Sequence, residues 1–306
     1  MKVTHNAPDE VKVEAGVRKG VAKTFDVAEY RRVQLIHVSQ TRGRPEPPRP
    51  RFDLEWATML LDRLSRPVRG VRIVQRGALS TSDTDYVQII PMRQLDRGDV
   101  ERLLEHVGNR DGGHDLIVTS ALSERERAAF IDVGFVERES LHLLTHGLRE
   151  LPLPATPATQ VKLRSGRRTD LAAVLSIDNS SFDGFWAMDR EALNAARKAT
   201  PIHRYVVATI KNQVVGYAIT GRSGSATFLQ RLGVDPDVRR QGLGSRLVID
   251  ALQWARENGG RSMLVNTQAS NHRALSLYEH LGFELAAEQL KVLEWSGHLR
   301  SAADVA

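Results

Sequence analysis

The chain has 306 residues, 41% of them hydrophobic, a length that suggests two domains of roughly 150 residues each. Without cysteine it has neither a disulfide framework nor a thiolate for metal binding or nucleophilic attack. Its formal net charge of +6 is spread as scattered arginines, which argues against a nucleic-acid partner. The charged N-terminus lacks the apolar segment of a signal peptide, and no apolar run approaches about 18 residues, so a cytoplasmic protein without a membrane span is expected. None of the ten histidines stands three residues ahead of a glutamate, and no metal site is expected.

Val11, Val13 and Val17 hint at a first strand, and residues 31–40 (RRVQLIHVSQ) suggest another. A Pro- and Arg-rich loop over 41–51 leads to a helix over 53–64, opened by an Asp cap. Strands follow at 71–75 and 86–90, then a helix at 99–107. Residues 116–135 (LIVTSALSERERAAFIDVGF) align without a gap on residues 264–283 (LVNTQASNHRALSLYEHLGF), which points to a duplicated unit. Extending that register backwards sets Gln94 and Asp96 opposite Gly242 and Gly244, while Phe130 stands opposite Tyr278. On that register the first copy has lost both glycines and the hydroxyl. The expected organisation is a first domain over 1–150, an extended Pro-rich linker over 151–159 (LPLPATPAT) and a second domain over 160–306.

The second half opens with a strand at 161–164 and a helix capped near Thr169 and Asp170, which SSFDGFW at 180–186 breaks. Strands at 205–210 and 214–220 form a hairpin around Lys-Asn-Gln. Residues 227–245 (TFLQRLGVDPDVRRQGLGS) then pass from buried strand to turn to helix start. Gly242 and Gly244 allow the backbone to pass close to a ligand, and a helix start offers unpaired N–H groups and partial positive charge, so a phosphate is the natural occupant. Neither GxxxxGK[ST] nor GxGxxG is present.

The loop resembles the [QR]xxGx[GA] signature of the GNAT superfamily of acetyl-CoA-dependent N-acetyltransferases, with Arg239, Gly242 and Gly244 at its fixed positions. A second likeness lies downstream, where Ser270-Asn271 precedes a helix and Leu277-Tyr278 precede Gly282-Phe283 as in the family's LYxxxGF motif. The resemblance implies an α/β fold of mixed sheet in two tandem GNAT-like domains, the first degenerate, in a layout similar to that of the mycothiol synthases. From 161 onward it implies the order β, α, α, β, β, β, α, β, α, β, β.

The same resemblance implies acetyl transfer from acetyl-CoA to a primary amine in a ternary complex, with no metal. Amides from Arg240 through Gln241, Gly242, Leu243 and Gly244 to Ser245 would hold the pyrophosphate, with Arg239 and Arg240 adding charge. Leu232, Gly233 and Val234 would pair with the pantetheine arm, Asn271 would bond it or orient the site, and Tyr278 would protonate the leaving thiolate. Phe182, Asp183, Phe185 and Trp186 would wall the acceptor side. Where many relatives carry a glutamate base the chain offers Gln230 and Asn266, leaving Asp183, Glu191, His203 or a water chain. A lysine-type amine near pKa 10.4 is neutral in only about one part in a thousand at pH 7.4, a barrier of roughly 4 kcal/mol. An amine with pKa near 8 loses about 1 kcal/mol, which favours an α-amine or amino sugar. A non-catalytic acetyl-CoA sensor or scaffold is the alternative that Gln230 and Asn266 leave open.

Overall fold

The computed structural model describes residues 10–13, 23–26, 68–76, 86–108, 116–149, 151, 161–182 and 185–296. The expected strand at 31–40, the loop at 41–51, the helix at 53–64 and nearly all of the linker lie outside the described residues. Strands β1 (Glu10–Val13) and β2 (Lys23–Asp26) pair only with each other, antiparallel. The remaining ten described strands form one mixed sheet with helices on its faces.

The first unit runs β3 (Val71–Arg76), β4 (Tyr86–Pro91), α1 (Arg97–Gly108), β5 (Leu116–Thr119), α2 (Glu124–Ile131) and β6 (Val136–His146). The second runs β7 (Lys162–Ser165), α3 (Leu171–Ser181), α4 (Arg190–Arg197), β8 (Ile202–Ile210), β9 (Gln213–Ser223), β10 (Ala226–Val234), α5 (Leu243–Glu257), β11 (Ser262–Gln268), α6 (His272–His280) and β12 (Glu284–Trp295). Local chemistry explains several boundaries. Lys211 and Asn212, both at positive φ, form the tight turn between β8 and β9. Asp170 does not cap α3 with its side chain; a 3₁₀ turn over Arg168–Asp170 intervenes, and the carboxylate instead takes both Arg164 guanidinium nitrogens at 2.7 and 2.8 Å and the Arg167 amide at 2.7 Å.

The duplication seen in the sequence is present in space. Helices α2 and α6 end identically, with Phe135 N–H donating to the Phe130 carbonyl at 3.1 Å and Phe283 N–H to the Tyr278 carbonyl at 3.0 Å. Gly134 and Gly282 make the left-handed turns at φ 95° and 85°, and the Phe130–Phe135 and Tyr278–Phe283 rings meet at 5.1 and 5.5 Å.

The extended register is corrected. Tyr86 pairs with Leu116 in the first unit, whereas the matching parallel pair in the second is Phe228 with Leu264, so the first connection is six residues shorter. The helix starts then put Asp96, immediately ahead of α1, opposite Gly242, immediately ahead of α5. Asp96 Oδ1 accepts the Asp99 amide at 2.8 Å, and Arg93 pairs with Asp99 at 2.7 Å. The hydrogen bond from Arg93 holds the Asp99 carboxyl below its usual range. This helix start is closed by carboxylates of its own chain.

Sheet order gives the main departure from expectation: β3-β4-β5-β12-β6-β11-β10-β9-β8-β7. Strand β6 lies between β11 and β12, and β12 reaches back to pair with β5 through Glu294↔Val118 and Trp295↔Ile117. The two strands expected after α6 are thus one twelve-residue strand with two register breaks, because each unit gives its last strand to the other's half of the sheet. Leu144 and Leu148, from the first half of the sequence, sit in the core around α5 with Leu247, Val248, Val265 and Tyr278. Leu293, from the end of β12, sits in the first unit's core with Ile89, Leu103 and Phe130.

Candidate functional site

Strands β10 and β11 hold parallel register only at Ala226–Phe228 with Ser262–Leu264. Beyond that point β11 pairs with β6 and β10 with β9, so the two part. Gln230 stands in a bulge of β10, between Leu229 paired with Thr220 and Arg231 paired with Ile219. The opening is a cleft of about 110 Å³ whose walls include Gln230, Asn266, Asn271 and Tyr278, with Leu141 contributed by β6.

Beyond β10 and a short 3₁₀ turn, α5 begins at Leu243 after Gly242. Gly242 takes φ 76°, and a Cβ there would meet nothing within 4 Å; Arg240, at φ 61°, is also left-handed. The helix has no side-chain cap, and Arg246 N–H, donating to the Gly242 carbonyl at 3.0 Å, closes its first turn. The amides of Leu243, Gly244 and Ser245 therefore have no acceptor within the helix, which suits an anion. A Cβ on Gly244 would sit 3.2 Å from Leu277 of α6. Arg239 is tied down by its Nε on the Val234 carbonyl and its Nη2 on the Ser181 hydroxyl, both at 3.3 Å, so it braces the loop against the end of α3.

Tyr278 lines the cleft from α6, 5% exposed. Burial raises its pKa well above that of an ordinary phenol, with the Arg231 charge only partly opposing, so the hydroxyl keeps its proton at neutral pH. Asn271 is the N-cap of α6, its side chain accepting the Ala274 amide at 3.1 Å.

Sequence reasoning missed a buried ion pair beside this point. Arg231, mid-strand in β10 and 4% exposed, donates its Nε to Asp178 Oδ1 at 2.8 Å and its Nη2 to Oδ2 at 2.9 Å. Asp178, on α3 and fully buried, also accepts the Tyr217 hydroxyl and, at 2.6 Å, the Met188 amide. Burial works against the Arg231 charge, but Tyr217 and Asp178 more than offset it and raise its pKa further. The guanidinium lies 3.4 Å from the Phe182 ring centre and donates to the Trp186 carbonyl at 2.6 Å. A lone aspartate in LAAVLSIDN and a lone arginine in FLQRLGV were the available signals.

The expected acceptor residues divide. Phe182 and Trp186 line the cleft, while Asp183 lies outside the described residues. Phe185 does not line it: the ring packs into the first unit, 5.8 Å from Tyr86, with the Arg138 guanidinium 5.0 Å from its centre. Among the weaker base candidates, neither Glu191 nor His203 lines the cleft. His142 and His146 stand four apart, but on strand β6 that spacing puts them about 13 Å apart. No group of three or more metal-ligating side chains occurs among the described residues.

An uncapped helix start follows one of two splayed strands, and a buried phenol lines the cleft where they part. The profile of the acetyltransferase (GNAT) family matches residues 171–283. The [ribosomal protein bS18]-alanine N-acetyltransferase of Escherichia coli (strain K12) is 30% identical over 118 residues, 39% of this chain and 77% of that protein. The uncharacterized N-acetyltransferase YjgM of the same strain is 36% identical over 88 residues, 28% of this chain, which spans about half (53%) of that relative. In fold, the tandem GNAT protein from the clavulanic acid biosynthesis pathway superposes with TM-score 0.55 at 11% identity, covering 90% of this chain and 96% of that one. A GCN5-related N-acetyltransferase from Kribbella flavida gives 0.52 at 19% identity, covering 81% and 97%. The chain belongs to the GNAT acetyltransferase family.

Proposed function

We propose that the chain transfers the acetyl group of acetyl-CoA to a primary amine of low basicity, an α-amine ahead of an amino sugar, at a single site in residues 160–306. The observation that carries this reading is the uncapped, glycine-opened start of α5 beside the parting of β10 and β11, with Tyr278 at the junction. The amides from Arg240 to Ser245 take the pyrophosphate, and the β10 edge at Leu232, Gly233 and Val234 runs alongside the pantetheine. Arg239 holds the loop through Val234 and Ser181. Asn271 starts the helix that presents Tyr278.

The amine nitrogen forms its bond to the acetyl carbon, the carbon–sulfur bond breaks, and the Tyr278 hydroxyl gives its proton to the departing thiolate. Gln230 and Asn266 cannot accept the amine's proton at neutral pH, so it leaves to water in the cleft. That limitation favours an amine already largely neutral, and the alanine N-acetyltransferase name borne by a 30% identical relative supports an α-amine. No described helix is long and apolar enough to cross a membrane, and a cytoplasmic enzyme is the reading we adopt. The first unit, over 1–150, is a structural partner whose own helix start is closed by Asp96 and Asp99.

The test is thiol release from acetyl-CoA with alaninamide, glucosamine and a lysine-side-chain mimic, beside calorimetric titration of wild type and Gly244→Asp. One acetyl-CoA per chain in the wild type, none in the variant and a preference for alaninamide are expected. Unchanged affinity in a folded Gly244→Asp overturns the site, and acetyl-CoA binding without transfer to any amine favours the sensor reading.

A further inference from the structure

The segment between α3 and α4 is held from two directions. Its Phe182 ring and Trp186 carbonyl belong to Arg231, and so to the second unit. Its Phe185 ring and the edge of the Trp186 indole belong to the first. Trp186 Nε1–H donates to Glu139 Oε2 at 2.6 Å, and Glu139 lies on β6, two residues before the cleft-lining Leu141 and on the same face of that strand. The indole has one polar hydrogen, and the carboxylate takes it, so towards the cleft Trp186 presents an apolar ring at a fixed angle. Phe185 packs against that indole in a T-shaped contact, ring centres 4.9 Å apart.

We infer that Glu139, a residue of the non-catalytic first unit, is the positioning residue for acceptor recognition: it fixes Trp186 as the wall against which the carbon next to the reacting amine packs. The inference rests on the α-amine reading above and adds the group that sets its selectivity. The ring, held this way, favours an acceptor with a small apolar substituent beside the amine. Acetyl-CoA lies beyond its reach, because the helix start and Tyr278 are built from α5 and α6 without Glu139. The carboxylate acts through Trp186 and touches neither the amine nor the thioester.

The experiment uses the full chain and compares wild type, Glu139→Ala, Glu139→Gln and Trp186→Phe. Acetyl-CoA affinity is measured by calorimetry, and steady-state kinetics use L-alaninamide and glycinamide. For Glu139→Ala the acceptor KM for alaninamide rises about ten-fold, the loss of one charge-assisted hydrogen bond, with kcat and acetyl-CoA affinity unchanged. Glycinamide, which has no side chain to pack, responds less. Glu139→Gln restores most of the KM because its amide oxygen still accepts the indole hydrogen. In a Trp186→Phe background Glu139→Ala adds nothing further. An alaninamide KM unchanged by Glu139→Ala, or no rescue by Gln, overturns the inference while leaving the transferase reading intact. Failure of the wild type to bind acetyl-CoA overturns the transferase reading and the inference together, and failure to acetylate either amide overturns the α-amine preference and the inference with it.

Discussion

Replacing Leu144 by alanine tests the interleaved sheet most directly, because the residue belongs to the first half of the sequence and to the core of the second unit. Leu144 is fully buried, paired across the sheet with Val265 of β11 on one side and Leu285 of β12 on the other. Little can collapse into the space it leaves, since both neighbouring strands are fixed by their own ladders. The cost should fall in the upper part of the usual range for such truncations, about 3–5 kcal/mol. For a chain of this size that corresponds to a fall in Tm of roughly 5–8 °C. The assay is urea unfolding followed by circular dichroism with and without saturating acetyl-CoA, since a ligand raises the midpoint of whatever unit binds it. If β6 completes the binding unit, the acetyl-CoA-responsive transition itself moves down in Leu144→Ala. Two autonomous halves would behave otherwise: the mutation would lower a separate, ligand-insensitive transition and leave the responsive midpoint in place. That result would refute the argument.

Three further outcomes are expected. Tyr278→Phe keeps the ring packed on Phe283 and leaves acetyl-CoA affinity unchanged, but lowers kcat by roughly 100-fold or more, read by thiol release. Asp178→Asn weakens a fully buried pair with Arg231 and should lower stability by about 3 kcal/mol or more in denaturant unfolding; a neutral effect would show the pair to be energetically idle. For Asp170, whose carboxyl the Arg164 hydrogen bond holds below its usual range, the folded pKa lies under the unfolded one. Its contribution is therefore present above about pH 4 and lost as pH falls through the folded value. The stability gap between wild type and Asp170→Asn, roughly 1–2 kcal/mol at pH 7, should close in acid and stay flat from pH 6 to 8.

The chain's legibility follows from how local each feature is. The hairpin turn at Lys211 and Asn212, the α5 start at Gly242 and the Asn271 cap are set by residues within a turn of one another, and the sequence shows them directly. The duplication was visible through Phe135 and Phe283, because both copies keep the same helix ending. Its backward extension failed where the connection between the paired strands, helix included, is six residues shorter in the first copy, a difference that leaves no mark on periodicity. The exchange of β6 and β12 was illegible for a deeper reason. Strand pattern records which residues are buried, and Leu144 is equally buried whichever unit's β11 or β5 stands beside it. Arg231 and Asp178 were legible only as anomalies, each a charge in an apolar run whose partner lies far along the chain.

The exchange also explains how a unit whose helix start is closed by carboxylates still serves one whose helix start has no side-chain cap. Removing β6 would leave β11 and β12 without their shared neighbour, exposing two rows of backbone donors and acceptors in the middle of the sheet. It would also open the second unit's core at Leu144 and Leu148, each worth about 2 kcal/mol of apolar burial. Against a typical net stability of about 5–15 kcal/mol, those losses are large. The first unit is therefore fixed in place by the sheet before any question of substrate arises. Once fixed, it sets Leu141 and Glu139 beside the cleft and Tyr86 beneath Phe185. Substitutions along β6 can then reshape the wall near Leu141 and Trp186 while the loop ahead of α5, which Arg239 ties to Val234 and Ser181, stays as it is.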